Sequence, residues 1–206
     1  MKKISLLLTL FMYLGLTAQM PENLEYVSPF HEGLAAIKKE NKWAFVDEQG
    51  AIAIDFRDDL YWNPEAKTSY GDMRSSAYPQ FNDGRCLVQK MVDGIPVFGF
   101  IDTKGTLVID YKFLNVAPFH NGLTTGVMYE KVLRGKNEFN LEIYEFKFHE
   151  VLMDVDGNII EFLQRRHNIQ MTPKRYKTPS LESKILNPHL IAVKTDKFWE
   201  LKKIDL

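Results

Sequence analysis

Large aromatic side chains are concentrated in one irregular stretch of the chain, between residues 57 and 78. Tyrosine and tryptophan combine an apolar ring with a polar tip, as residues that contact proteins or carbohydrates often do. Loops on a rigid scaffold commonly carry binding groups. We therefore predict that this stretch binds a partner through its aromatic residues, which are Tyr61, Trp62, Tyr70 and Tyr78.

A second irregular stretch, residues 165–179, carries a run of positive charge. A solvated surface is the ordinary interpretation of such a run, and an anionic partner or surface is the sharper one. The arginines assigned to this candidate binding surface are Arg165, Arg166 and Arg175.

Two further patterns are candidates for metal sites. His31 and His120 occupy the same position in two repeats, but zinc needs three or four ligands in a closed geometry. Asp154 begins a stretch similar to the start of a calcium loop, yet the twelfth position, where a glutamate is needed, is Arg165. Turn roles are favoured for all of these residues, so no metal, cofactor or catalytic residue is predicted.

A short sequence motif occurs three times in the chain: an aromatic residue, two polar residues, a glycine and the start of a strand-like run. A second shared motif follows each copy and contains a turn of the type Asp-x-x-Gly. Aspartate accepts backbone hydrogen bonds in such turns, and glycine takes the positive φ. The glycines of the first motif are Gly33, Gly84 and Gly122, and the aspartates of the second motif are Asp47, Asp102 and Asp154.

The segments between these turns are rich in β-branched and aromatic residues, which favours strands. Closely connected strands pair antiparallel, and further turns are expected at residues 39–41, 93–94 and 134–137. We predict an all-β array of antiparallel meander repeats. Its units span about 27–57, 78–113 and 116–163, and a partial unit spans 189–206.

These motifs resemble those of the WG-repeat family, whose units have the sequence Phe-x-x-Gly-Leu-Ala followed by Gly-Lys-Trp-Gly-x-Ile-Asp-x-x-Gly. The first unit keeps the tryptophan as Trp43 but has Ala44 in place of the glycine, and the second keeps the glycine as Gly99 but loses the tryptophan. The third unit loses both. The resemblance implies an all-β repeat domain, often exported in bacteria, that acts as an interaction module and has no established chemistry.

Residues 1–19 have the order of a secretory signal: Lys2 and Lys3, an apolar stretch, and then small residues. Cleavage is expected after Ala18 or Gln19, and an uncleaved anchor is disfavoured because the apolar stretch is shorter than the roughly 20 residues of a membrane span. The remaining residues, 20–206, suit one repeat domain in a periplasmic, cell-surface or secreted protein. With a single cysteine, Cys86, the chain has no internal disulfide.

The composition does not predict nucleic-acid binding, since 27 acidic residues slightly outnumber 26 basic ones. The favoured function is a secreted or periplasmic binding or scaffolding module that engages a protein or a cell-surface polymer. The alternative is an extracellular hydrolase that uses carboxylates from neighbouring repeats, and a purely structural array is a third interpretation. The residues favour a binding role over an enzymatic one.

Overall fold

A computed structural model describes residues 20–205, so the expected signal segment 1–19 lies outside the described residues. Strands make up 54% of the structure and helix 3%, and every strand pairing is antiparallel. The predicted fold class, an all-β array of hairpin strands, is confirmed. Within the described part of the chain, no helix is long and apolar enough to span a membrane.

Within residues 20–205, fourteen strands form three sheets of four, seven and three strands. The first sheet contains β1 (Tyr26–Val27), β2 (Ala35–Lys39), β3 (Lys42–Val46) and β4 (Ile52–Arg57). The second contains β5 (Phe81–Asn82), β6 (Arg85–Val92), β7 (Ile95–Ile101), β8 (Leu107–Val116), β9 (Leu123–Lys136), β10 (Glu142–Asp154) and β11 (Ile159–Arg166). The third contains β12 (Ser183–Asn187), β13 (Leu190–Thr195) and β14 (Phe198–Lys203).

Four structural units follow one another along the chain: β1–β4, β5–β8, β9–β11 and the shorter β12–β14. The aromatic stretch connects the first unit to the second and contains two short 3₁₀ helices, Thr68–Tyr70 and Met73–Ser75. It begins by pairing with the second unit, because Tyr61 donates its backbone N–H to the carbonyl of Leu87 on β6 at 3.0 Å. We call residues 58–80 the insertion.

Each of the first three units contains a two-residue turn in which both central residues have positive φ. The φ values are 51° and 77° at Glu32 and Gly33, and 50° and 70° at Asp83 and Gly84. The third turn, at Asn121 and Gly122, has values of 53° and 78°. These are the values of a type I′ turn, which matches the twist of the strands that it connects.

The three turns are joined by side chains that cross from one unit to the next. The Glu32 carboxylate accepts hydrogen bonds from the backbone N–H groups of Asp83, at 2.7 Å, and Gly84, at 2.9 Å. The Asp83 carboxylate in turn accepts from the N–H of Gly122 at 2.7 Å. The acidic residue of one turn thus satisfies donors of the following turn, which aligns successive units.

The Asp-x-x-Gly motifs form the predicted turns. One carboxylate oxygen of Asp47, Asp102 and Asp154 accepts two backbone hydrogen bonds in each case, all at 2.9 Å. The glycines then pack against the preceding unit: a Cβ on Gly105 would lie 3.2 Å from Ile54, and one on Gly157 would lie 3.0 Å from Ile109.

The turn expected at residues 134–137 lies elsewhere. Strand β9 continues to Lys136, and Asn137 accepts hydrogen bonds from the N–H groups of Phe139 and Leu141 at 3.0 and 2.9 Å. Gly135, which suggested the earlier turn, pairs with Ile143 next to an irregularity in the β9–β10 register. The turns expected at residues 39–41 and 93–94 are present, with positive φ at 40, 41, 93 and 94.

The units pack through a face that we call the forward face, formed by two alternate residues four and two positions before each turn aspartate. These pairs are Trp43 with Phe45, Phe98 with Phe100, and Glu150 with Leu152. An aromatic residue of the following unit covers the first two pairs: Phe81 lies 4.8 Å from Phe45, and Phe119 lies 4.9 Å from Phe100, between ring centroids. Leu152 packs instead with Ile191 and Val193 of β13.

Substituting valine for any one of the turn glycines Gly33, Gly84 and Gly122 should lower the free energy of unfolding by more than about 1 kcal/mol. A β-branched residue is strained at these positive φ values. Urea unfolding measures the effect. The matched control is Thr103→Val, at an exposed turn position outside the positive-φ residues. Midpoints equal to that of the control for all three glycine variants would contradict this role.

Candidate functional site

Four aromatic residues meet where the first unit contacts the insertion, and we call them the aromatic cluster: Tyr26, Trp43, Trp62 and Tyr78. The ring centroid of Trp43 lies 5.5 Å from that of Tyr26 and 5.6 Å from that of Trp62, both in edge-to-face geometry. The Tyr26 and Tyr78 centroids are 5.9 Å apart. Such arrangements are favourable beyond the area that they bury.

The cluster is buried on one side and open on the other. Trp43 is buried, Trp62 and Tyr78 are half-buried, and Tyr26 is 41% exposed. The Lys38 ammonium lies 5.1 Å from the Trp62 ring centroid, within cation–π distance. The indole Nε1 of Trp43 is buried without a hydrogen-bond partner in the structure. A ligand that meets this surface finds apolar ring faces, a cation and phenol groups.

Two of the four predicted aromatic residues, Trp62 and Tyr78, therefore lie together. Tyr26 completes the surface but was not identified from the sequence, because β1 is only two residues long and precedes the first repeated motif. Strand pairing brings Tyr26 to the cluster, because Tyr26 lies opposite Lys38 and Lys38 lies opposite Trp43.

Tyr61 faces away from this cluster. Its ring packs edge-to-face on Phe98 of the second unit, with centroids 5.1 Å apart. Burial, together with the nearby Asp72 charge, raises the pKa of Tyr61. The side chain thus anchors the insertion to the second sheet.

Tyr70 lies apart from the other predicted aromatic residues and is 42% exposed. The Arg74 guanidinium lies 4.6 Å from its ring centroid. Arg74 also forms an ion pair with the buried Asp72 at 2.6 Å, and Asp72 accepts a 2.9 Å hydrogen bond from the side chain of Asn115 on β8. Tyr70 borders two open clefts, one toward β6 and β7 and one toward β12.

The predicted arginines are also separated. Arg165 and Arg175 are exposed, whereas Arg166 forms an ion pair with Glu150, a fully buried carboxylate. Glu150 also accepts hydrogen bonds from the Ser183 hydroxyl at 2.5 Å and the Glu182 backbone N–H at 2.8 Å. These contacts join the second sheet to the third, so Arg166 has a structural role.

Glu150 occupies the forward-face position that Trp43 and Phe98 hold in the earlier units. A carboxylate in a packed interface is unfavourable unless it is paired and hydrogen-bonded, which Arg166 and Ser183 accomplish. The sequence showed the loss of tryptophan here but not its replacement by an ion pair, since Arg166 and Ser183 lie in other strands.

A similar ion pair connects the first and second units. Arg57 binds Asp59 through two nitrogens, at 2.5 and 2.8 Å, and donates to the carbonyl of Gly105 at 2.8 Å. Burial opposes ionisation of Asp59, but the hydrogen bond and charge of Arg57 outweigh it and lower the pKa of this carboxyl. The Tyr111 hydroxyl donates to Asp59 at 3.1 Å, and burial together with the Asp59 charge raises the pKa of Tyr111 to about 12.

The candidate metal ligands serve the turns instead. His31 and His120 each flank a two-residue turn, and their backbones exchange hydrogen bonds with Leu34 and Leu123. Among residues 20–205, no group of three or more His, Cys, Asp or Glu side chains is placed to hold a metal ion. Cys86 is buried between the first two units, and burial raises the pKa of its thiol.

Comparison with known families gives two matches, both to the WG containing repeat, at residues 23–43 and 98–127. The matches support a WG-repeat protein. The first WG-repeat match runs from just before β1 to Trp43, and the second begins at Phe98 and crosses from the second unit into the third. Comparison with curated proteins and with solved structures gave no match.

Replacing Arg166 by methionine should destabilise the protein by about 3 kcal/mol, because Glu150 would remain buried without a cation. The neighbouring Arg165→Met is the matched control: Arg165 is exposed, so its free energy of unfolding should change by less than about 0.5 kcal/mol. Urea unfolding of both variants gives the comparison. Equal losses in the two variants would contradict the assignment of Arg166 to the buried pair.

Proposed function

We propose that this WG-repeat chain is an exported binding module that engages a protein or a cell-surface polymer through the aromatic cluster. The observation that supports this proposal is the mixed exposure of the cluster. Buried Trp43 holds Tyr26 and Trp62 in fixed edge-to-face contacts, while Tyr26 keeps 41% of its surface exposed. A rigid, partly exposed aromatic surface binds with little loss of side-chain entropy.

The other predicted binding residues differ in whether their side chains are exposed or packed inside the protein. Tyr70, Arg165 and Arg175 are exposed but lie apart from the aromatic cluster, so the proposed contact does not depend on them. Tyr61 attaches the insertion to the second unit through Phe98, and Arg166 joins the last two units through Glu150.

The hydrolase alternative receives no support from the most buried carboxylates of residues 20–205. Asp72 and Glu150 each pair with an arginine, and the partly buried Asp59 does the same. These carboxylates lie at three separate places: Asp72 beside Asn115 on β8, Glu150 beside Ser183 on β12, and Asp59 beside Tyr111 on β8 at the junction of the first two units. Their charges are used to hold the units together.

The proposed export predicts a shortened chain in the cell envelope. If residues 1–19 are a cleaved signal, protein isolated from that fraction should begin at Gln19 or Met20. N-terminal sequencing of the isolated protein identifies the first residue. Recovery of the full-length chain from the cytoplasm alone would contradict export.

Removing the aromatic surface should weaken partner binding by about 2 kcal/mol or more, roughly a thirtyfold loss of affinity. The test variant is Tyr26→Ser with Trp62→Ala, used as bait with native cell envelopes beside the unchanged chain. A partner recovered by the unchanged chain is then titrated calorimetrically against both baits.

The matched control is Phe139→Ser with Phe162→Ser, two aromatic residues that are 74% and 59% exposed and lie outside the cluster. The control should recover the partner with unchanged affinity. Thermal unfolding of each bait shows that the temperature of the assay leaves it folded. Undiminished affinity of a folded cluster variant would show that these rings only pack against the first unit.

A further inference from the structure

The last described unit contains a strand pair that is equivalent to β2 and β3 of the first unit. Lys38 pairs with Trp43 in the first unit, and Lys194 pairs with Trp199 in the last. Two residues further along the second strand, Ala36 pairs with Phe45, and Ala192 pairs with Leu201. Trp199 and Leu201 therefore occupy the forward-face positions of this unit.

These two positions are buried in every preceding unit but not in the last one. Their exposed fractions are 3% and 1% at Trp43 and Phe45, 1% and 2% at Phe98 and Phe100, and zero at Glu150 and Leu152. The corresponding values are 45% at Trp199 and 64% at Leu201. The outermost units of a soluble repeat array normally have a polar outer face. This unit instead exposes the face through which units contact one another.

The opposite end of the array has the complementary exposure. Phe81 and Phe119, the turn aromatics that cover the forward faces of the first and second units, are 0% and 3% exposed. The equivalent aromatic of the first unit, Phe30, has no preceding unit to cover among residues 20–205 and is 53% exposed. Val27 of β1, which is 58% exposed, precedes it in the chain.

We infer that two copies of this chain associate head to tail, with Phe30 of one copy packing on Trp199 and Leu201 of the other. The contact repeats the one that Phe81 makes with Phe45 and Phe119 makes with Phe100 inside a single chain. It joins two different surfaces, so it is heterologous and extends the array in one direction. This inference is independent of the proposed partner and of the aromatic cluster.

The contact is small, because Leu24 and Phe56 already pack against the buried strand residues on that side of the first unit. Phe30 and Val27 remain exposed there for contact, together with Met20, whose side chain lies beside Gly50. Small interfaces are typical of weak and transient complexes. Association should therefore increase with protein concentration.

Cysteine cross-linking tests the geometry directly. Chains carrying Phe30→Cys and chains carrying Leu201→Cys are mixed in equal amounts under oxidising conditions. Head-to-tail contact should give about tenfold more disulfide-linked heterodimer than either homodimer. Replacing Leu201→Cys by Phe162→Cys, a comparably exposed position on β11, should remove this excess.

Sedimentation at increasing concentration provides the second measurement. The unchanged chain should associate, and the variant with Trp199→Glu and Leu201→Glu should remain monomeric but folded, since both side chains are exposed. Preferential homodimers of Leu201→Cys would indicate a symmetric contact between β14 edges and overturn the inference. A monomeric unchanged chain at all concentrations, or a random mixture of cross-links, would also overturn it.

Discussion

Every unit of this protein has an apolar face that its own strands cannot cover. A meander of three or four short strands is too small to bury both of its sides, so stability depends on contact with the next unit. Phe45 and Phe100 are buried because Phe81 and Phe119 lie over them. The turn hydrogen bonds from Glu32 and Asp83 hold successive units in the alignment that these aromatic contacts require.

The junctions between units also contain ion pairs, and one of them lies where a repeat has lost its tryptophan. The third unit has Glu150 where the first has Trp43, and Arg166 together with Ser183 compensates the buried charge. Arg57 and Asp59 hold the junction of the first two units in a comparable way. Removing one partner of a buried pair leaves an uncompensated charge, so the Arg166–Glu150 pair stabilises its junction only when both residues are present.

The insertion links the scaffold to its proposed binding role. Consecutive residues of an extended segment point to opposite sides, so Tyr61 packs on Phe98 while Trp62 packs on Trp43. One side of the insertion is thereby attached to the second unit and the other to the first. The aromatic cluster is presented on a segment that is held on both sides, which suits a preformed contact surface.

Local features of this fold were determined by the sequence itself. Glycine in the left-handed region and aspartate as an acceptor for its own turn act within a few residues, so the type I′ turns and the Asp-x-x-Gly turns were predictable. The alternation of β-branched and aromatic residues predicted strands, and short connections predicted antiparallel pairing. Where two residues competed for a local role, as Gly135 and Asn137 did, position in the β9–β10 ladder decided the turn.

The environment of each side chain was decided by tertiary structure. Trp43 and Trp199 follow similar strands and pair with equivalent lysines, yet one is buried and the other is exposed. The difference comes from a following unit that covers Trp43. In the same way, adjacent Arg165 and Arg166 have the same chemistry, but only Arg166 reaches the buried Glu150. Burial and charge pairing depend on residues distant in the chain, which no local pattern specifies.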